Sequence, residues 1–122
     1  MSKKVLTRYQ TLSAGSMAGN LTSDVTNIQF LDNVAIQVNM TSADGVGTVI
    51  VEGSVDHLED SQGNVSNEGT FVDLNLGLTI AAGAPDNFLI DVNQASFPYI
   101  RVRYARTSGT GTMNIFISGK EI

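Results

Sequence analysis

The chain has 122 residues, 42% of them hydrophobic and 16% charged, with a net charge of −5 and no cysteine. That length fills one domain. The acidic balance opposes long-range attraction to a phosphate backbone, and the lack of cysteine excludes disulfides and thiolate metal sites.

A charged fraction well below the roughly 25% of an average soluble domain leaves the surface to Thr, Ser, Asn and Gly. Such a surface suits a chain that lies against other proteins. No stretch approaches the roughly 18 consecutive apolar residues of a membrane span. The start, MSKKVLTRYQ, carries two lysines with no apolar block behind them, unlike a secretory signal. The expectation is a chain made in a cytoplasm and complete as written, with no membrane and no nucleic acid among its partners.

In chain order, Val5 to Leu12 is a first candidate strand. Ser13 to Ser23 (SAGSMAGNLTS) is small and polar, either a loop or part of an arm, so residues 1–20 form a candidate extended N-terminal arm. Asn27 to Leu31 is a further candidate strand. From Val34 to Thr41, apolar residues at 34, 36, 38 and 40 alternate with small or polar ones, the period of a half-buried strand. Asp44-Gly45 signals a turn. Thr48 to Val55 then predicts a second strand, paired with the first as a hairpin, with Val49, Val51 and Gly53 on one face and Ile50, Glu52 and Ser54 on the other.

His57 to Gly69 (HLEDSQGNVSNEG) predicts a solvated loop. Thr70 to Leu76 predicts a strand with Val72, Leu74 and Leu76 on one face, and Gly77 to Asp86 a connection. Phe88 to Val92 is a short strand. Pro98 permits a strand start, Tyr99 to Arg106 follows, and Thr112 to Ser118 is the last strand. No window shows the apolar spacing of a helix. About eight short strands predict one all-β domain over residues 1–122, an antiparallel, jelly-roll-like β-sandwich.

Arg101, Arg103 and Arg106 lead into Gly109-Thr110-Gly111. A phosphate-binding glycine loop hands its anion to a helix start. Here a strand pattern follows and no Gly-Lys-Ser/Thr is present, so the expectation is a hairpin turn. Ile100, Val102 and Tyr104 then face the core, and Arg101 and Arg103 sit together on an outward face. Two readings of that pair stay open. Either Asp91 or Glu52 matches it within the sheet, or it meets the carboxylates of another subunit.

His57, the only histidine, has Asp56, Glu59, Asp60 and Asn64 near it. The EF-hand pattern fails from either Asp56 or Asp60 as its start, so no metal or other cofactor is expected. One histidine without a Gly-x-Ser-x-Gly motif is a thin basis for nucleophilic catalysis, and the expectation is a protein that is not an enzyme. The Asn-x-Ser/Thr triplets at Asn20, Asn39 and Asn64 matter only on a secretory route.

Two segments, GTVIVEGSVDH (47–57) and FPYIRVRYARTSGTGTMNIFISGKEI (97–122), together resemble small all-β virion proteins of tailed bacteriophages, of the capsid decoration or cement type and related tail components. The likeness runs from about Val34 onward. Phe71 stands where that family often has an aromatic such as Trp. The resemblance implies a structural protein on the outer capsid surface. It would bind the major capsid protein, associate with itself as a trimer or dimer, and cement neighbouring capsid subunits through edge strands, loops and an N-terminal arm. The interface candidates are Arg101, Arg103 and Arg106; His57, Glu59 and Asp60; and Lys3, Lys4 and Arg8. The alternatives are a tail, neck or fibre protein, and a carbohydrate- or host-surface-binding module.

Overall fold

The structure is a computed structural model that describes residues 6–41, 44–81, 86–92 and 97–121. Every element among them is a β-strand. These are β1 (Leu6–Ser16), β2 (Leu21–Thr22), β3 (Thr26–Asn27), β4 (Leu31–Thr41), β5 (Val46–Ser54), β6 (Leu58–Glu59), β7 (Val65–Asn67), β8 (Val72–Asp73), β9 (Leu78–Ile80), β10 (Asn87–Val92), β11 (Tyr99–Ser108) and β12 (Thr112–Glu121).

Ten of them form two antiparallel layers, and β6 and β7 pair separately. Sheet A has the order β1-β12-β4-β10. In sheet B, β11 and β5 lie side by side at the centre, with β2 and β3 flanking β11 and β8 and β9 flanking β5. Alternation explains the stacking. Val34, Ile36, Val38, Met113, Ile115 and Ile117 of sheet A face Val49, Val51, Ile100, Val102 and Tyr104 of sheet B in one buried cluster. The predicted β-sandwich is therefore what forms, with twelve strands in place of about eight because the short flanking strands carry too few residues to show a period.

The structure differs from both predicted hairpins. β4 and β5 belong to different sheets, and so do β11 and β12. Each connection is an arch that carries the chain across the core. The apolar faces of its two strands then meet face to face, where a hairpin would set them side by side. The two arches also bind each other. Thr110 N–H donates to Asp44 Oδ1 at 2.7 Å, and Asp44 N–H donates to the Thr110 carbonyl at 3.1 Å. Gly109 has φ +79, and a Cβ there would press on the Asp44 backbone, so the crossing needs glycine.

Two further expectations are revised. Of the candidate arm, residues from Leu6 to Ser16 are β1, paired along β12. Met17 is fully buried, and Ser23 locks onto β11 by donating its N–H to the Val102 carbonyl and accepting the Val102 N–H on Oγ, both at 2.8 Å. Residues 1–5, with Lys3 and Lys4, lie outside the described residues. Of the predicted strand 70–76, only Val72–Asp73 forms. The chain leaves the ladder at Asn75, whose φ is +58, and returns as β9 within the predicted connection.

Candidate functional site

Outward residues of β11 and β5 meet in register on sheet B, with Arg101 directly opposite Glu52 and Arg103 opposite Ile50. Arg101 Nε donates to Glu52 Oε1 at 2.8 Å, and Arg103 Nε donates to the same oxygen at 2.9 Å. One carboxylate thus bridges the two like charges that the period-2 spacing sets side by side. Of the two acids considered for this role, Glu52 fills it, whereas Asp91 sits on sheet A opposite Ala35. Glu52 is only 6% exposed, while the arginine side chains keep 29% and 37% of their surface.

The cover over this cluster comes from the segment expected to be a solvated loop. Residues 55–71 fold back over sheet B as a flap, with β6 and β7 paired at its centre. Asp56 closes its base: Oδ1 accepts the Thr70 N–H at 2.7 Å and the Ser54 hydroxyl at 2.9 Å. These bonds, the Thr70 one first, hold the Asp56 carboxyl below its ordinary range. Asp60 closes the tip by accepting the N–H groups of Asn64 and Gln62, which lower its pKa in the same way.

His57 pins the flap down. It is 3% exposed, with its ring edge-on to Tyr99 at 4.7 Å and tilted against Phe71 at 5.3 Å. Nδ1 lies 2.9 Å from the Glu68 carbonyl and Nε2 lies 2.8 Å from Glu59 Oε2. A carbonyl and a carboxylate both only accept, so the doubly protonated ring satisfies both partners. Burial is the largest single influence and favours the neutral ring. The Glu59 hydrogen bond, the Glu68 carbonyl and the Glu59 charge outweigh it, and the pKa is raised. Phe71 is sandwiched in turn, since Arg101 Cζ sits 4.2 Å above its ring centroid. A depression of about 320 Å³ opens between Val25, Val65, Phe71 and Arg101.

The structure therefore brings together Arg101, Arg103, His57 and Glu59, with Asp60 at the flap's tip. Arg106 lies toward the other end of β11, where its Nε donates to the Gly109 carbonyl at 2.8 Å. Arg8 is on the opposite layer, 5.8 Å over the Phe116 ring. Glu68 and Tyr99 also fix His57, and the sequence pattern shows neither, because one contact is a backbone carbonyl and the other a ring on β11, distant along the chain.

Also unanticipated is the outer face of sheet A. Its cross-strand rows read Arg8-Ser118-Ala35-Asp91, then Gln10-Phe116-Gln37-Leu89, then Asn114-Asn39-Asn87. The exposed Lys120 continues this face beyond Ser118, while Arg8 and Asp91 stand at opposite margins. Between them lie amides tied to one another, with Gln37 donating to Asn39 at 3.0 Å and Gln10 to Asn114 at 3.2 Å. A shallow depression of about 250 Å³ crosses this face beside Phe116 and Leu89.

Among the described residues no group of three or more His, Asp or Glu side chains converges as a metal site would. No protein-family model matches the chain, and no curated protein is similar to it. Among solved structures it is similar to the SPBc2 prophage-derived protein YomS, with a TM-score of 0.58 and 7% identity over 98% of this chain and 97% of that one. A chain of the Bacillus endospore appendages, a family of disulfide-linked pili, aligns at a TM-score of 0.40 and 12% identity over 98% and 87%. The first likeness extends across both chains and shows a shared fold.

Proposed function

We propose that the chain is a structural virion protein of a tailed phage that binds the outer surface of the capsid and cements neighbouring major capsid subunits. The observation that carries this reading is the outer face of sheet A. It is a four-stranded expanse of amides, small residues, Phe116 and Leu89, with Arg8 and Asp91 at opposite edges and Lys120 beyond Ser118 toward one end. Protein contacts favour such charge-poor centres, and many copies on a symmetric shell multiply weak contacts into firm attachment. The prophage origin of YomS and the resemblance of residues 47–57 and 97–122 to virion proteins support the same reading.

On this reading the chain catalyses nothing. The paired arginines and His57 hold the fold, and the exposed rims of Arg101, Arg103 and Arg106 remain available to acidic groups on a neighbour. The test is occupancy. Purified chain added to capsids that lack it is expected to bind saturably, at hundreds of copies per particle, and to appear as density on the shell. A handful of copies at the tail or neck would instead favour a tail part, and selective glycan binding would favour a host-surface module.

A further inference from the structure

Among the described residues the sandwich has four open edges, and three are poor templates for another strand. β1 is broken by two register shifts, between Gln10 and Leu12 and between Leu12 and Gly15, and it carries Arg8. On sheet B, β2 and β3 offer two residues each beside β11, and β8 and β9 offer two and three beside β5. Short, bulged or basic edges are the usual guards against strand addition.

β10 has none of these guards. Its six residues pair with β4 without a break, from Asn87 opposite Asn39 to Val92 opposite Val34. It contains no Lys, Arg or Pro, and its one charge is Asp91. Among the described residues no strand lies along its other side. Leu89 projects from its outer face at 75% exposure, while Ile90 and Val92 point into the core.

We propose that β10 is a self-association edge, pairing antiparallel with β10 of a second copy about a twofold axis at Leu89 and joining two four-stranded sheets into one of eight. The strand is complementary to itself in this register. Leu89 meets Leu89 on the outer face. Asp91 meets Asn87, so no carboxylate faces its own image. On the inner face Phe88 meets Ile90 and prolongs the apolar layer. Each opposed pair contributes as cross-strand pairs do in any sheet. β1 could not substitute for the second β10, because its bulges interrupt the ladder. The contact is isologous and therefore closes as a dimer. It also doubles the amide face, and it stands whether or not that face lies on a capsid.

The test uses the full chain. Sedimentation velocity over about a hundredfold range of concentration is expected to show a species of twice the 12.9 kDa monomer mass. Leu89→Lys is expected to weaken dimerisation at least tenfold with the thermal melt of the dilute monomer unchanged, since there the side chain is already in water. Leu89→Cys in this cysteine-free chain is expected to form a disulfide-linked dimer on mild oxidation, because Cα atoms of directly opposed strand residues lie about 4.5–5.5 Å apart, within the span a disulfide bridges. Leu58→Cys, exposed on the flap, is expected not to. A chain that stays monomeric throughout overturns the proposal, as does one that takes up only a foreign extended peptide at β10. So does an oligomer that ignores Leu89→Lys and fails to cross-link through position 89.

Discussion

Arg101 lies directly across the ladder from Glu52 and shares that carboxylate oxygen with Arg103, two strand positions on. Removing the carboxylate leaves two guanidinium groups side by side on the outer face of sheet B. Glu52→Ala is therefore expected to cost about 1–3 kcal/mol, below the loss for a fully buried pair because both arginines reach solvent. Urea denaturation gives the value. A double-mutant cycle with Arg101→Ala is expected to show coupling, since the two side chains share a direct hydrogen bond and ion pair. An additive cycle would mean that the bridge is decorative.

His57 makes stability depend on pH with a definite sign. Its folded pKa is raised above the ordinary value of about 6.5. Its contribution is thus complete below that value and is lost as pH climbs through the folded pKa. Glu59 and the Glu68 carbonyl favour the charged ring, and Arg101 opposes it. The melting temperature is expected to fall as the solution passes from mildly acidic to mildly alkaline, and His57→Gln is expected to flatten that slope. Asp56 and Asp60 are shifted the other way, so their contribution is present above the ordinary carboxylate range and lost as pH falls below it. A melting series across both windows checks the two signs at once, and an unchanged alkaline slope in His57→Gln would sink the pinning role.

Much of this cluster was legible before any coordinates. Alternation along 99–106 put Arg101 and Arg103 outside and Ile100, Val102 and Tyr104 inside, and along 48–54 it set Val49 and Val51 on the face opposite Glu52, as observed. A period of two reports the face of a strand and says nothing of its neighbour. Asp44-Gly45 and Gly109-Thr110-Gly111 were therefore read as hairpins, where the chain in fact crosses between layers. The flap was illegible for another reason. Its residues are polar, but Asp56, His57 and Asp60 use their polarity on the flap's own backbone, at Thr70 N–H, the Glu68 carbonyl and Gln62 N–H, which makes a folded cover from a composition that reads as loop.

Ala14 tests the cost of the irregular edge. It sits at φ +50 within β1, a conformation that an L residue with a Cβ adopts at a cost, and its N–H is held by Asn114 Oδ1 at 2.8 Å. Ala14→Gly removes the steric penalty but loosens the unfolded chain, so the net gain is expected to be about 0.5–1 kcal/mol. Asn33 and Asn75 share the left-handed region, and as asparagines they gain less from the same change. No gain in Ala14→Gly would show that the Ala14 Cβ carries no strain.

Tyr104 offers the opposite test, a polar atom that the fold buries without a partner. The side chain is 1% exposed, and its hydroxyl accepts and donates nothing among the described residues. Burial raises its pKa, and the distant charge of Arg106 only partly offsets this. The ring itself is needed, because it fills the space that Gly45 and Gly47 leave under the first arch. A Cβ at Gly47 would lie 2.7 Å from the ring, and one at Gly45 would lie 3.1 Å from the hydroxyl and 2.7 Å from Met17. Tyr104→Phe keeps the ring and removes the orphan, so it is expected to be neutral or to stabilise by up to about 1 kcal/mol. Gly47→Ala is expected to destabilise by about 1–3 kcal/mol through overpacking of the same site. Thermal melts of the two variants distinguish the ring from its hydroxyl. A clear loss in Tyr104→Phe would mean that the hydroxyl has a partner in solution, and the arch would then owe part of its stability to that bond.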